Sequence, residues 1–226
     1  VLARGGSKGV PNKNALPVGG VPLGLRSARY GLGEDCVTRM IVSSDSPDIL
    51  SILDGHPDIA QHKRSAETAG DTASSEVALR EVIYSDPKNA DYEYVCLLEP
   101  TFPFRDPRLI DEMYAKSIVN SWDSCVPTKP LTQNPKYIFA QTKGGLLVKY
   151  IQTPAETFNR RQDFSHLRRM SSGLYLFRPS HIFAGKILDG TIGSIDDTSR
   201  YEINIDTFDD LEYARFLAAK TGVAGD

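Results

Sequence analysis

The amino-acid sequence predicts an α/β domain built around a sheet of mostly parallel strands. Strand-like and helix-like segments alternate from the amino terminus to about residue 126. This order is typical of parallel strands joined by right-handed helical crossovers. Residues 94–98 form an almost continuous apolar run, which is typical of a central strand buried on both faces. The alternation stops between about residues 127 and 172, so a single domain spanning residues 1–226 with one inserted region is predicted.

Helices are predicted from apolar spacing and from the residues that flank each segment. Pro22 precedes the first helix and Gly33 follows it, which is the usual order of these residues around a helix. Asp71 is the predicted N-cap of the third helix, in which apolar residues recur at helical spacing. The predicted helices span residues 23–32, 47–53, 72–84, 106–119, 180–188 and 208–220.

Strands are predicted where short apolar runs end in small, polar or turn-forming residues. The predicted strands span residues 39–45, 59–62, 94–98, 124–126, 173–177 and 201–205. Two further segments, residues 137–141 and 146–151, are joined around Gly144 and Gly145, which is typical of a β-hairpin. The arginine-rich residues 159–169 are too strongly charged to belong to the core. The hairpin and this charged arm form the predicted insertion.

The composition excludes several classes of function. Forty per cent hydrophobic and 24% charged residues are ordinary for a globular protein, and a net charge of −3 argues against a nucleic-acid partner. No apolar run approaches the length of a membrane span, so no membrane partner is expected. Cys36, Cys96 and Cys125 lie far apart, which favours buried thiols and a cytoplasmic location. The chain opens within a strand-like run, so we expect a preceding segment.

The first fourteen residues are the strongest functional feature of the sequence. Residues 1–3 are apolar and end a strand, and residues 4–14 form a loop rich in glycine, lysine and arginine. Glycine lets backbone N–H groups approach a ligand, while arginine and lysine suit phosphate oxygens. Neither the G-x-x-x-x-G-K-[ST] nor the G-x-G-x-x-G pattern is present. The loop is therefore predicted to bind a nucleoside triphosphate, with a basic surface turn as the alternative.

Four later segments carry polar groups suited to binding or catalysis, each with a purely structural alternative. Residues 63–75 either cap a helix or leave small polar groups free to bind a base. Residues 98–105 follow the central strand, at the edge where α/β sheets bind ligands, but they equally form a rigid turn. Residues 159–169 either bind a sugar carboxylate or form a solvated arm. Asn204 and Asp206 share one face of a predicted strand and suit Mg²⁺, although capping of the last helix is the alternative for Asp206.

Together these segments resemble, in the same order, the motifs of the sugar-acid cytidylyltransferases, the enzymes that make CMP-activated sialic and related nonulosonic acids. The resemblance implies a three-layer, mostly parallel, Rossmann-like nucleotidyltransferase sheet whose insertion serves as a dimerisation arm. The matching patterns are A-R-G-G-S-K-G-x-P-x-K-N at residues 3–14, R-x-x-x-x-x-x-D-T-x-x-S at residues 64–75, L-Q-P-T-S-P-x-R at residues 98–105, R-R-Q-D-x-x-x-x-x-R at residues 160–169 and D-I-D-T at residues 204–207.

The resemblance implies roles for individual residues, with CTP and a sugar acid as substrates and Mg²⁺ or Mn²⁺ as the cofactor. The implied nucleotide-binding residues are Arg4, Gly6, Ser7, Lys8, Lys13, Asn14, Arg64, Ala73 and Ser75. The implied sugar-binding residues are Glu99, Thr101, Arg161, Gln162 and Arg169. The implied metal ligands are Asp206 and Asn204, and the implied catalytic residues are Arg4, Lys8, Lys13 and Asp206. A homodimer is also implied, in which the charged arm partly reaches the neighbouring subunit.

Three departures from the family pattern bear on the choice of acceptor and metal. Glu99 replaces Gln, Ser171-Ser172 replaces Asn-Gly, and Asn204 replaces the first Asp of D-I-D-T. All three lie at the sugar or metal end, so we expect CTP as the donor and an acceptor other than N-acetylneuraminate, such as a legionaminate-like or pseudaminate-like acid. A nucleotidyltransferase for another base or sugar and a non-catalytic nucleotide-binding relative are the alternatives. The histidines do not cluster, so neither a zinc site nor a catalytic triad is predicted.

Overall fold

The computed structural model describes residues 1–70, 72–151 and 160–222. The chain forms two compact units, of which the larger comprises Val1–Pro127 with Ser171–Asp226 and the smaller comprises Thr128–Met170. The predicted helix cap Asp71 and the first residue of the charged arm, Asn159, lie outside the described residues. In the part of the chain that is described, no helix combines the length and the apolar character needed to cross a membrane.

The helices and strands of the described residues follow in chain order. The helices are α1 Leu23–Leu32, α2 Pro47–Ser51, α3 Ala66–Ala69, α4 Ser75–Ser85, α5 Leu109–Asn120, α6 Pro179–Phe183 and α7 Phe208–Thr221. The strands are β1 Pro17–Val18, β2 Val21–Pro22, β3 Met40–Ser44, β4 Ile59–Lys63, β5 Val95–Leu98, β6 Ser124–Pro130, β7 Phe139–Gln141, β8 Leu147–Lys149, β9 Arg168–Met170, β10 Leu174–Phe177 and β11 Ile192–Asp196. Short 3₁₀ turns occur at Lys13–Ala15, Pro87–Ala90, Pro135–Tyr137 and Arg161–Phe164.

The amino-terminal part of the larger unit contains parallel pairing. β3 and β4 run parallel, with Met40 opposite Ile59, and Leu2 forms a parallel bridge with Ser43. The helix α2 connects β3 to β4, as parallel neighbours require a crossover. The buried apolar residues packed together here are Ala3, Val21, Leu25, Ala28, Met40, Val42, Ile49, Leu53 and Ile59.

The strands β11, β6, β10 and β5 lie side by side in that order. β10 runs antiparallel to both of its neighbours, with Leu174 opposite Leu98 and Leu176 opposite Cys125. The prediction of a mostly parallel sheet is wrong for these strands, and the described pairs include both parallel and antiparallel ones. The physical reason lies in the connection, because the chain reaches β10 from β6 through the inserted segment and not through a single helical crossover.

Helices cover both faces of β5 and β10. Successive residues of a strand point to opposite faces, so Leu98 and Leu176 pack against α5 while Leu97 and Phe177 pack against α4 and α6. The predicted three-layer order of helix, sheet and helix is therefore confirmed in the larger unit. Burial on both faces also explains the continuous apolar run of β5.

The smaller unit contains the predicted hairpin. β7 and β8 pair antiparallel, with Phe139 opposite Lys149, and Gly145 adopts a positive φ of 82° at the turn. β9 pairs antiparallel with the last residues of β6, where Thr128 lies opposite Met170. All residues of β7 and β8 are exposed.

Several predicted elements differ from the structure, among them helix 106–119, which is observed as Leu109–Asn120, and strand 124–126, which extends to Pro130. Residues 201–205 do not form a strand, although the Ile205 N–H donates to the Thr101 carbonyl oxygen at 2.9 Å. The helix predicted at 180–188 ends at Phe183, and the helix predicted from residue 72 begins at Ser75 because Ser74 is its N-cap. A backbone hydrogen bond to one neighbouring segment holds 201–205 extended without a continuous ladder.

Candidate active site

One cavity of the larger unit collects most of the residues predicted to bind substrates. It has a volume of about 600 Å³ and lies at the carboxyl end of β5, where α/β sheets bind ligands. Gly6 is not among the residues that line it, although it belongs to the lining loop. The predicted residues that line the cavity are Arg4, Ser7, Lys8, Lys13, Asn14, Arg64, Ala73, Ser75, Glu99, Thr101, Asn204 and Asp206.

The glycine-rich loop is held against the end of β3. The Gly5 N–H donates to Asp45 Oδ1 at 2.8 Å, and the Ser7 N–H donates to the Gly5 carbonyl oxygen at 3.0 Å. A Cβ at Gly5 would lie 2.8 Å from the Cβ of Ser46, so only glycine fits this position. Asp45 was not predicted as a functional residue, and the available signal was its place directly after a strand that ends beside the loop.

Lys13 joins this loop to the carboxyl-terminal side of the cavity. Its Nζ donates to the Ile205 carbonyl oxygen and to Asp206 Oδ1, the second at 3.1 Å. The side chain of Lys13 is 11% exposed and that of Asp206 is 64% exposed, so the carboxylate remains accessible. Gly9 packs against the Asp206 carbonyl oxygen so closely that no Cβ would fit. These contacts fix Asp206 relative to the loop.

Asp206 directly precedes the N-cap of α7. Thr207 Oγ1 accepts a hydrogen bond from the Asp210 N–H at 3.2 Å, and Asp210 Oδ2 accepts one from the Thr207 N–H at 2.8 Å. This reciprocal pair is a capping box, so the alternative in which Asp206 caps the helix is wrong. Asn204 Nδ2 donates to Asp206 Oδ2 at 2.8 Å, which brings the two predicted metal ligands together.

The donor set for a cation at this end of the cavity is small. No group of three or more His, Cys, Asp or Glu side chains that could hold a metal ion occurs among the described residues. Asp206 supplies a carboxylate, and Asn204 Oδ1 would be a second oxygen ligand, because the amide nitrogen of Asn204 faces Asp206. Mg²⁺ commonly takes one or two carboxylates and completes its shell with water and phosphate oxygens. The residues present therefore fit one such ion in the presence of a phosphate-bearing substrate.

Asn14 contributes an unpaired acceptor to the cavity. Its Nδ2 donates to the Arg4 carbonyl oxygen at 2.9 Å, and its side-chain oxygen Oδ1 has no hydrogen-bond partner within the described part of the chain. The residue is only 5% exposed. Because buried polar atoms are nearly always hydrogen-bonded in a native protein, this oxygen indicates a donor group supplied by a ligand.

Arg64 places a fixed cation in the cavity lining beside the end of β3. The residue is buried, and its Nη2 and Nε donate to the carbonyl oxygen and the hydroxyl of Ser43, at 3.0 and 3.3 Å. Burial lowers the pKa of the guanidinium, while the nearby carboxylates of Asp45 and Glu81 oppose that shift. The guanidinium stays charged at neutral pH because the ordinary pKa of arginine is so high.

Arg105 links the segment after β5 to the segment that precedes β10. Arg105 Nη2 donates to the Glu99 carbonyl oxygen at 2.5 Å, and its Nε donates to the Ser172 carbonyl oxygen at 2.9 Å. The Glu99 N–H donates to the Gly173 carbonyl oxygen at 2.9 Å. Burial lowers the pKa of Arg105 to about 10. Arg105 was not predicted as a site residue, and its role is to hold the backbone that carries Glu99.

The three remaining predicted residues belong to the smaller unit. Arg161 and Gln162 lie in the 3₁₀ turn Arg161–Phe164, and Arg169 lies in β9 opposite Lys129. Gln162 is exposed and Arg169 is half-buried. Their role in binding a sugar acid stays a prediction.

The cavity lining thus combines cations, the glycine-rich loop and an accessible carboxylate. Such an arrangement can bind a polyphosphate and stabilise negative charge that develops during its cleavage. The family model described as "Cytidylyltransferase" matches residues 1–212. The chain belongs to the cytidylyltransferase family. The resemblance drawn from the sequence motifs is therefore confirmed at the level of the family.

Individual relatives agree with this family assignment. The chain is 25% identical over 230 residues to a pseudaminic acid cytidylyltransferase of Campylobacter jejuni, with 96% of this chain and 94% of the relative covered. It is 28% identical over 150 residues to a CMP-N,N'-diacetyllegionaminic acid synthase of Legionella pneumophila, with 66% and 64% covered. A solved structure of CMP:2-keto-3-deoxy-manno-octonic acid synthetase complexed with CTP matches with a TM-score of 0.69 at 15% identity and covers 97% of each chain. This last likeness supports the nucleotidyltransferase α/β fold.

Proposed function

We propose that this cytidylyltransferase transfers CMP from CTP to a 2-keto-3-deoxy sugar acid of the sialic-acid-like nonulosonate class and releases pyrophosphate. The observation that carries the proposal is the single cavity that brings together the basic glycine loop, Arg64 and Asp206. The names of the relatives, which act on pseudaminic and diacetyllegionaminic acids, support the same class of acceptor.

The proposed reaction is an in-line transfer at the α-phosphorus of CTP. The anomeric hydroxyl of the sugar acid forms a bond to the α-phosphorus, the bond to the bridging oxygen of pyrophosphate breaks, and the hydroxyl proton passes to solvent. Arg4, Lys8 and Lys13, together with the loop N–H groups, hold the triphosphate and neutralise the departing pyrophosphate. The work of the protein is therefore mainly positioning and charge stabilisation.

The nucleoside is assigned to the part of the cavity lined by Arg64 and by the segment that includes Ala73 and Ser75. A cytosine edge would find a fixed cation and hydroxyl and backbone groups there. Asn14 Oδ1 is a buried acceptor without a partner in the described chain, and a ribose hydroxyl supplies the donor that it lacks. The assignment of cytosine over other bases rests on the family and on these groups together.

We assign a single Mg²⁺ or Mn²⁺ to Asp206 and Asn204 Oδ1. The ion, when bound, acts as a Lewis acid that reduces the negative charge on the α-phosphate. Lys13 donates to one oxygen of the Asp206 carboxylate, so it holds that carboxylate in its orientation. The replacement of a family carboxylate by Asn204 leaves one negative charge fewer in the site, which favours one ion over two.

We further propose a cytoplasmic homodimer in which the charged arm contributes to the sugar-acid site. Arg161, Gln162 and Arg169 are assigned to the sugar carboxylate, because arginine pairs with carboxylates bidentately. The hairpin exposes Tyr137, Leu146, Leu147, Val148 and Tyr150, and an exposed apolar surface of this kind is typical of an interface. Three cysteines without disulfides suit the cytoplasm.

A pyrophosphate-release assay tests the proposed function. CTP, UTP, ATP and GTP are offered with Mg²⁺ against a panel of nonulosonic acids, and release with CTP alone is the expected result. Release with another nucleotide would move the protein to a different nucleotidyltransferase class. Binding of CTP without release for every sugar acid would favour a non-catalytic nucleotide-binding relative.

A further inference from the structure

A second cavity adjoins the nucleotide cavity at Glu99. It has a volume of about 430 Å³ and shares Ser75, Leu97 and Glu99 with the first cavity. Its other lining residues come from the start of α4, from β10 and from the segment after α6, and they are Glu76, Tyr175, Gly185, Lys186, Ile187 and Leu188. A substrate bound across the end of β5 can therefore extend from the nucleotide cavity into this one.

The second cavity carries a net negative charge. Glu76 and Glu99 are its two acidic residues, and Lys186 is its one basic residue among the described lining. Lys186 Nζ contacts both carboxylate oxygens of Asp189 at 3.2 Å, so its charge is already paired. An acidic lining is unexpected beside a site for two anionic substrates, because like charges repel.

The carboxylate of Glu99 is the second distinctive feature of this cavity. No hydrogen bond or ion pair to its side-chain oxygens occurs among the described residues, and the nearby Arg105 donates instead to the carbonyl oxygens of Glu99 and Ser172 and to Ser27 Oγ. Burial raises the pKa of the Glu99 carboxyl, and Arg105 opposes that shift. A half-buried carboxylate without donors is stabilised when a ligand supplies a hydrogen-bond donor with a positive charge.

We propose that this second cavity is a subsite for a cationic nitrogen substituent, a primary ammonium or an amidinium, on the acceptor sugar acid, with Glu99 as the residue that recognises it. The inference rests on the proposed function, because it names a property of the acceptor of that reaction. A neutral acetamido group in the same position presents a carbonyl oxygen as well as its N–H, and that oxygen would face an acidic wall. Glu99 therefore selects between acceptors that differ only in this substituent.

The test uses three sugar acids that are identical except for one nitrogen substituent, which is amino, acetamidino or acetamido. For the wild-type protein we expect kcat/KM with CTP to be at least about tenfold higher for the amino or acetamidino acceptor than for the acetamido acceptor. Glu99→Gln should abolish this preference and raise the relative rate with the acetamido acceptor. Glu112→Gln, on the exposed surface of α5, is the matched control and should keep the wild-type ratio.

The outcomes distinguish a failure of the proposed subsite from a failure of the proposed reaction. Equal kcat/KM for the three acceptors, an acetamido preference in the wild-type protein, or an unchanged ratio in Glu99→Gln would overturn it. CTP binding by Glu99→Gln shows that the variant is folded. If the wild-type protein binds CTP but releases pyrophosphate with no acceptor, the proposed function fails. Calorimetric titration with the three sugar acids then tests the subsite. The subsite is refuted if the sugar acid with the amino substituent binds no better than the one with the acetamido substituent.

Discussion

Lys13 has a double role at the scale of the single residue. Its ammonium is almost buried, and it donates to the Ile205 carbonyl oxygen and to the Asp206 carboxylate while lining the cavity. A buried ammonium without these acceptors would be strongly destabilised, since the charge leaves water. The same two bonds therefore hold the cation where a triphosphate binds and orient the proposed metal ligand.

We expect Lys13→Met to lower kcat/KM for pyrophosphate release by at least about 100-fold, the usual effect of removing one group that stabilises transition-state charge. Methionine keeps much of the side-chain length but cannot donate to Asp206. Lys143→Met, in the exposed hairpin turn, is the control for loss of a lysine charge and should leave the rate unchanged. A fall of less than about threefold in Lys13→Met would contradict the role assigned to Lys13.

Ser172 combines an unfavourable backbone conformation with a buried hydrogen bond. Its φ is 60°, in the left-handed region, and its Oγ donates to Asp197 Oδ2 at 2.5 Å. Burial works to raise the pKa of Asp197, but hydrogen bonds from the Ser172 hydroxyl and the Ser199 N–H outweigh it and hold the pKa below its ordinary value. Glycine, the family residue at position 172, would adopt this φ without strain but could not donate to Asp197.

We expect Ser172→Ala to destabilise the protein by about 1–3 kcal/mol at pH 7, because it removes a donor from a buried carboxylate. Ser172→Gly should be less destabilising than Ser172→Ala, since glycine relieves the left-handed strain. The depressed pKa of Asp197 gives stability that is present above the unfolded pKa of about 4 and is lost as the pH falls through the folded pKa. The gap between wild type and Ser172→Ala should therefore narrow below about pH 4 in urea unfolding.

The control for this prediction is Ser121, which shares the conformation but not the bond. Ser121 has a φ of 54° at the end of α5 and is exposed. Ser121→Ala is expected to change the free energy of unfolding by less than about 0.5 kcal/mol at either pH. The explanation given for Ser172 is refuted if Ser172→Ala and Ser121→Ala behave alike.

At the scale of elements, Glu81 of α4 holds α3 beside the cavity. Its Oε1 accepts from the Ser65 N–H at 2.8 Å, and its Oε2 accepts from the Ser65 hydroxyl at 3.1 Å and from the Thr68 hydroxyl. Thr68 lines the nucleotide cavity. A helix of only four residues has few intrahelical hydrogen bonds, so its position depends on contacts of this kind.

We expect Glu81→Gln to raise the KM for CTP by about three- to tenfold with little change in kcat, because the variant loosens the base side of the cavity and leaves the phosphate side intact. Glu81→Asp, which keeps the charge on a shorter side chain, should recover part of the loss. Glu112→Gln, on the exposed surface of α5, is the matched control for CTP affinity. A large fall in kcat at unchanged KM would assign Glu81 a different role.

The sequence predicted most elements but failed where local residues do not determine the pairing. α1 was predicted with its observed bounds because Pro22 and Gly33 punctuate it. The strand β11 was missed, since Gly193, Ser194 and Asp196 have low strand propensity and only tertiary pairing makes them a strand. Position 193 requires glycine, because the ring of Trp122 lies where a Cβ would be. Residues 201–205 are the converse case, because their sequence predicted a strand that the tertiary pairing does not form.

At the scale of the whole molecule, the sequence motifs predicted which distant segments meet. Arg4, Arg64, Glu99 and Asp206 lie on four segments, and all four line one cavity. The sequence could not predict that Arg105 donates hydrogen bonds to backbone carbonyl oxygens, because the bond to Ser172 depends on the fold bringing that residue beside it. Similarly, the antiparallel placement of β10 depends on where the chain returns after the insertion, and no local pattern encodes that return.

The oligomeric state is the last property that belongs to the whole molecule. In the smaller unit, Leu147 and Tyr150 are 63% and 73% exposed on or beside β8, and apolar side chains at such exposure are stabilised when a second copy covers them. We expect the wild-type protein to sediment as a dimer and Leu147→Asp to shift it towards monomer, because a charge in an interface loses its hydration. Val119→Asp, at an equally apolar and 83% exposed position of α5, is the matched control and should remain dimeric. A wild-type monomer at all concentrations, or equal behaviour of the two variants, would remove the hairpin from the interface.

Since the charged arm is proposed to complete a sugar-acid site in the dimer, Leu147→Asp should also lose activity at low protein concentration and regain it as the concentration rises.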